Sequence, residues 1–256
     1  MTDQRVLEVV EALEKTVQNF IREHQVTHDE YRLATGIIID SIKAGEESLL
    51  LDVCFEAEAT DVASQGRDGS TLAIEGPFYL EGAPVLESPY VMPQREDEAG
   101  RRLTFRGTVT NIDGSPLAGA ELDMWHADAE GLYSNIHPSV PEWNLRGRFY
   151  SDEAGRFEVT TIVPPPYEIP KDGPTGTVLR ALGRHFFRPA HLHLKVSADG
   201  FESMTSQLYF EGDQYLDNDV ANAVRDGLVI GLQADGDGDV ANYDFVLQRV
   251  DVPAHA

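Results

Sequence analysis

Arg188-Pro189-Ala190-His191-Leu192-His193-Leu194-Lys195-Val196 is the stretch that decides how this chain reads. Leu192, Leu194 and Val196 alternate with His191, His193 and Lys195. Side chains alternate between the two faces of a strand, so the pattern predicts a β-strand over Ala190–Ser197. His191 and His193 then project from one face, with Arg188 just upstream. Two neighbouring imidazoles suit a metal ion. An exposed strand face, where two histidines and a lysine meet water, gives the same pattern.

Two tyrosines shift the balance toward a metal. Tyr133 ends the polar turn Asp128-Ala-Glu-Gly131-Leu-Tyr133-Ser-Asn135. Tyr167 sits in Val163-Pro-Pro-Pro166-Tyr167-Glu-Ile-Pro170, where prolines fix φ and stiffen the loop. A stiff loop aims one side chain well, although either tyrosine alone also fits a packed loop aromatic. Two imidazoles and two phenols make a set whose phenolates are hard anionic donors. Such donors favour Fe(III) over zinc and disfavour its reduction.

The rest of the chain falls into two regimes. Val6, Val9, Val10, Leu13, Val17 and Phe20 recur at helical spacing. Thr27-His-Asp-Glu30 forms a capping box for a second helix that Gly45 ends, and Leu49–Ala59 predicts a third. Pro77–Gly100 reads as an irregular connector. From Arg102 the period becomes two, with strands also expected over Thr205–Phe210 and Tyr243–Val250, and a hairpin over Arg148–Val159 turning at Gly155. The expected fold class is mainly β with a helical N-terminal region. Residues 1–100 form the helical region and connector. Residues 101–256 form an antiparallel β-sandwich, with a short helix near 218–228 returning to the helices.

Composition narrows the function. The 256 residues carry a formal net charge of −24, which argues against nucleic acid and anionic membranes as partners. Cys54 is the single cysteine, so no intrachain disulfide forms and a reducing, cytoplasmic setting is expected. No apolar run reaches membrane-spanning length, and no signal peptide is apparent.

Longer motifs carry a resemblance. Leu122-Asp-Met-Trp125-His126-Ala-Asp128 through Tyr133, Leu145-Arg-Gly147-Arg, Pro166-Tyr167-Glu-Ile-Pro170 and Gly173-Pro174-Thr-Gly176 resemble segments of the intradiol ring-cleavage dioxygenases. So do Arg188-Pro-Ala-His191-Leu-His193, Gln207-Leu-Tyr-Phe210-Glu-Gly212 and the upstream segment Ile74–Pro84. The likeness covers nearly the whole chain. Its short N-terminus and Leu49-Leu-Leu51-Asp52-Val53-Cys-Phe55 look most like the chlorocatechol 1,2-dioxygenases. The resemblance implies a β-sandwich catalytic domain and an N-terminal helical region that forms a homodimer contact with a phospholipid. It implies a non-haem Fe(III) cofactor held by Tyr133, Tyr167, His191 and His193. The implied reaction cleaves an ortho-diol ring with O2, between its hydroxylated carbons, to a cis,cis-muconate. In that reading Tyr167 also acts as base, Arg188 stabilises charge on the ring carbon, and Gln207 orients the oxygenated intermediate.

By the same resemblance Leu49, Asp52, Val53, Ile74, Gly76, Pro77, Phe78, Tyr79 and Ala221 line the substrate pocket, with Asp52 taken to point outward. These residues also suit plain helix and loop core. His126 and His185 read as structural or surface residues. Other readings are a hydroxyquinol or unsubstituted catechol 1,2-dioxygenase, a non-catalytic transthyretin-like sandwich that carries a small ligand, and a zinc hydrolase using the two histidines.

Overall fold

The computed structural model describes residues 3–250. Residues 1, 2 and 251–256, the outer ends of the two expected regions, lie outside the described residues. The described residues pack into two compact units that divide between Glu47 and Ser48.

The first unit holds α1 (Asp3–Glu23) and α2 (His28–Ala44). The Thr27 hydroxyl accepts the Glu30 N–H, and the Glu30 carboxylate accepts the Thr27 N–H, so two orphan donors are satisfied where α2 starts. Gly45, at φ 70, ends it.

At the division comes α3 (Glu47–Leu51), and the second unit continues with a π turn (Asp52–Glu56) and α4 (Ala57–Ser64). The single helix expected over Leu49–Ala59 is thus interrupted, and the wider turn falls where the site forms. The strands follow as β1 (Tyr90–Val91), β2 (Arg102–Asn111), β3 (Glu121–Trp125), β4 (Arg146–Tyr150), β5 (Arg156–Ile162) and β6 (Tyr167–Glu168). Then come α5 (Pro174–Ala181), β7 (Phe187–Arg188), β8 (His191–Ser197), β9 (Met204–Phe210), β10 (Val229–Ile230), β11 (Gln233–Asp235), β12 (Gly238–Asn242) and β13 (Phe245–Leu247). One sheet runs β1-β5-β2-β12-β11, with β13 also on β2; a second runs β10-β9-β8-β3-β4. One core joins them: Leu103, Phe105, Val159 and Phe245 from the first pack with Leu122, Phe149, Leu192 and Leu194 from the second.

Both sheets are mixed, not purely antiparallel. β12 and β13 run parallel to β2, β1 parallel to β5, and β10 parallel to β9. Gly107 allows β12 and β13 to follow one another along β2. A Cβ there would lie 1.8 Å from the Tyr243 carbonyl oxygen, in the bend between them.

Two local expectations are corrected. Arg148–Val159 is no hairpin, because β4 and β5 belong to different sheets. The turn between them is held by Asp152, whose carboxylate accepts the N–H groups of Ala154 and Arg156. It carries the chain from one sheet to the other. The helix expected near 218–228 is a short 3-10 turn, Leu216–Asn218, followed by irregular chain. The Asp219 carboxylate accepts the Ala221 and Ala223 N–H groups, which a helix would need for its own ladder. Asn222 at φ 49 completes the break.

Candidate active site

β8 lies inside its sheet, between β3 and β9. Leu192, Leu194 and Val196 fill the core, so His191 and His193 turn to the opposite face, where they are 1% and 2% exposed. Register fixes their neighbours. His191 stands opposite Tyr209 and His193 opposite Gln207, while Trp125 lies beside His193 on β3. The two Nε2 atoms are 2.9 Å apart and aim at one place. His191 Nδ1 donates to the Pro189 carbonyl at 2.6 Å, which leaves its Nε2 as the lone-pair nitrogen. His193 Nδ1 has no hydrogen-bond partner. Its ring is held by stacking on Trp125, at 4.6 Å between centroids and 13° between planes.

The tyrosines reach the same place from two loops. After β3, the Asp128 carboxylate accepts the Glu130 and Leu132 N–H groups and folds the chain back, with Gly131 at φ 82. This aims Tyr133 edge-on at Tyr167, 5.4 Å between centroids, and 6.3 Å from the His193 ring. Tyr167 pairs with Arg188 across the small β6–β7 ribbon, so its loop is tied at two residues to the strand that leads into His191. The Tyr167 and His191 rings are 5.6 Å apart. The Tyr133 hydroxyl is buried without a hydrogen-bond partner.

The electrostatics keep the imidazole nitrogens unprotonated. Burial pushes the His191 imidazole down to about 3, and nearby Arg188 pushes the same way. Burial and His191 hold His193 well below the ordinary range. Both rings are therefore neutral at neutral pH. Burial pushes Tyr133 well above the usual phenol value, with Tyr167 adding to it. Tyr167 is also raised by burial, against the opposing pull of Arg188. Without a cation these phenols stay protonated; a hard, highly charged cation would stabilise their anions. Among the described residues no group of three or more His, Cys, Asp or Glu could hold a metal, so a zinc site of the usual ligand types is not present among them. Two imidazole nitrogens, an orphaned phenol and a second phenol beside it fit ferric iron.

Arg188 is buried and committed. Its guanidinium donates twice to Asp219 at 3.0 Å, to Gln207 Oε1 at 2.9 Å and to the Tyr209 hydroxyl at 3.0 Å. Burial alone would raise the Asp219 carboxyl, but Arg188 holds it below its usual value. Gln207 Nε2 donates to the Ile74 carbonyl, so the whole amide is engaged in holding Arg188 and the Ile74 segment.

A narrow cavity ends at these groups. Leu49, Asp52, Val53, Ile74, Gly76, Pro77, Phe78 and Ala221 line it with Tyr167, Ile169, Arg188 and His193. Tyr133 and His191 lie outside this wall and pack on Tyr167. Tyr79 is also outside it: its ring lies 5.0 Å from Trp125 and its hydroxyl donates to Asp123 at 3.1 Å. Asp52 is among the residues that line the cavity, where an outward placement was expected. Its carboxylate accepts the Ser48 hydroxyl at 2.8 Å, and burial raises its pKa. His126 bonds Ala127 and Thr161 inside the core, and His185 accepts the Phe187 N–H; neither joins the ring cluster.

A family model described as dioxygenase matches residues 74–249, most of the chain and all four ring residues. The chain belongs to this dioxygenase family. A chlorocatechol 1,2-dioxygenase of Rhodococcus opacus is 41% identical over 256 residues, covering 97% of this chain and 100% of that protein. A chlorocatechol 1,2-dioxygenase of Pseudomonas sp. (strain P51) is 39% identical over 247 residues, covering 96% and 98%. The crystal structure of 3-chlorocatechol 1,2-dioxygenase from Rhodococcus opacus 1CP superposes with a TM-score of 0.91 at 44% identity, covering 97% of this chain and 100% of that one.

Several residues of this dioxygenase's site escaped the sequence reading. Asp219 and Tyr209 hold Arg188, Trp125 supports His193, and Ile169 joins the cavity wall. Arg146 is fully buried, donates to Ser134 and to the Phe78 carbonyl, and lies 5.8 Å from the Tyr133 ring. Glu56 accepts the Glu75 and Gly76 N–H groups and ties the π turn to the cavity loop. Arg146, Trp125, Tyr209 and Ile169 stood inside motifs already noted. Asp219 and Glu56 give no local signal, because each acts through a contact distant in sequence.

Proposed function

We propose that this dioxygenase cleaves chloro- or methyl-substituted catechols with O2 between their hydroxylated carbons, giving cis,cis-muconates. The observation that carries this is the convergence of two imidazole nitrogens and two buried phenols beside Arg188, at the end of an apolar cavity. Tyr133, Tyr167, His191 and His193 would hold ferric iron. When bound, that ion supplies the Lewis acidity that takes the diol as its dianion and opens its ring to O2. Two protons must then leave the diol: Tyr167, in the short β6 strand and next to Arg188, would take one at its phenolate oxygen, and solvent hydroxide would take the other and become water. Arg188, fixed by Asp219, Gln207 and Tyr209, presents a permanent positive charge where negative charge develops on the ring. Leu49, Val53, Ile74 and Phe78 keep water from the ring's far edge. Oxygen uptake on the iron-loaded protein with catechol and its chlorinated forms, with product identification, tests the proposal. Absence of a muconate from every catechol would refute it.

Substrate choice follows from that wall. A chlorine or methyl group buries apolar surface against Val53 and Ile74, with small Ala221 leaving room. Substituted catechols should match or exceed catechol in kcat/KM. Ala221→Leu should penalise them more than catechol itself; an equal loss for all would contradict the pocket assignment. Hydroxyquinol is the rival substrate, and Asp52 is the polar partner its third hydroxyl would find.

The helical region supports a homodimer. On α1, Val6, Val10, Leu13, Val17 and Phe20 are 45–62% exposed, a stripe of apolar side chains that a second copy, with a phospholipid between, would cover. Sedimentation at micromolar concentration should give near twice 28.3 kDa; a monomer would count against this assembly. No helix among the described residues is long and apolar enough to cross a membrane.

A further inference from the structure

The catalytic cavity is narrow. A much larger groove of about 430 Å³ lies against it. Val53 and Ala221 line both spaces, so the partition between them is one side chain thick. Val53 belongs to the π turn, which is wider than a turn of α-helix.

The groove has an unusual chemistry for this chain. Acids outnumber bases 44 to 20 overall. Yet the groove presents donors. Arg184 is exposed on its wall, and among the described residues its guanidinium has no ion pair or hydrogen bond. His185 accepts the Phe187 N–H at Nδ1, which leaves Nε2–H as a donor when the ring is neutral. Asn218 and Asn222 add exposed side-chain amides. Of the two carboxylates there, Asp219 is neutralised by Arg188, and Glu58 alone opposes an anion.

We propose that this groove is an exit vestibule that binds the ring-opened dicarboxylate as it leaves the catalytic cavity. The inference rests on the ring-cleavage reading. A neutral diol plus O2 becomes a dicarboxylic acid of the same atoms, and at neutral pH that acid sheds two protons. The charge of the ligand therefore changes only in the product. Inside the cavity the Arg188 guanidinium is already committed to Asp219, Gln207 and Tyr209, and Asp52 repels the product. Across the Val53–Ala221 partition it meets a free guanidinium able to hold a carboxylate through paired N–H donors. Substrate, being uncharged, gains nothing from Arg184.

The test uses the iron-loaded enzyme with cis,cis-muconate as added ligand, at low and high salt. Wild type should bind muconate more weakly as salt rises. Arg184→Glu should weaken it roughly tenfold, and Arg184→Gln less, with KM for catechol changed by less than about twofold. Arg184 is exposed, so both variants should fold; Arg184→Gln, which keeps the bulk without the charge, checks this. Equal muconate affinity in wild type and Arg184→Glu, no binding to wild type, or a parallel rise in catechol KM would each overturn the vestibule. Failure to form muconate from catechol would instead overturn the ring-cleavage reading.

Discussion

Replacing Asp219 with leucine is expected to lower stability by about 3–5 kcal/mol and to abolish ring cleavage. Arg188 is 4% exposed and Asp219 8% exposed, and two hydrogen bonds of 3.0 Å join them. Removing the carboxylate leaves a guanidinium buried with only the neutral Gln207 and Tyr209 oxygens as acceptors. The side chain must then stay charged in a poor environment or swing toward water, away from the ring. Asp219→Asn keeps volume and one acceptor and should lose less stability, but it too leaves the charge unpaired and should still lose most activity. Asp219 also accepts the Ala221 and Ala223 N–H groups, so the leucine variant should disturb the cavity wall as well. Denaturant melts and O2-uptake rates on both variants check this; near-wild-type stability in the leucine variant would contradict the burial argument.

Gly131→Ala is expected to cut turnover by about 100-fold. Its Cβ would lie 2.7 Å from the Tyr167 Cβ, and φ at this position is +82°. The left-handed backbone costs an alanine about 1–2 kcal/mol, and the contact pushes Tyr167 off its position by a fraction of an ångström or more. Gly114→Ala is the control. Its φ is +84° but nothing lies within 4 Å, so it carries the strain without the clash. The Gly131 variant should lose kcat while the Gly114 variant keeps it. Equal behaviour of the two would mean that Tyr167 placement does not govern the rate.

The alternation of β8 was readable because a half-buried strand writes its period directly into sequence. That reading placed two histidines on one face, and the structure brings both tyrosines to them. The cavity wall was legible to a similar degree, with Tyr79 set aside against Trp125 and Asp123. What was not legible depends on distance. Asp219 meets Arg188 across 31 residues, and nothing near either one marks the pair. The same carboxylate, by accepting two backbone N–H groups, overrode a plausible helical pattern. The turn at Gly155 carries the residues of a hairpin, yet only the wider fold decides that its two strands join different sheets. Asp52 stands at the start of a π turn, a register change that apolar periodicity does not report.

The account turns on ferric iron bound by two imidazoles and two phenolates. Metal analysis with a visible spectrum of the purified, iron-loaded protein tests this most directly. About one iron per chain and a red-brown phenolate-to-iron charge-transfer band are expected. A colourless protein that holds zinc, and that stays colourless and inactive after iron reconstitution, would contradict it.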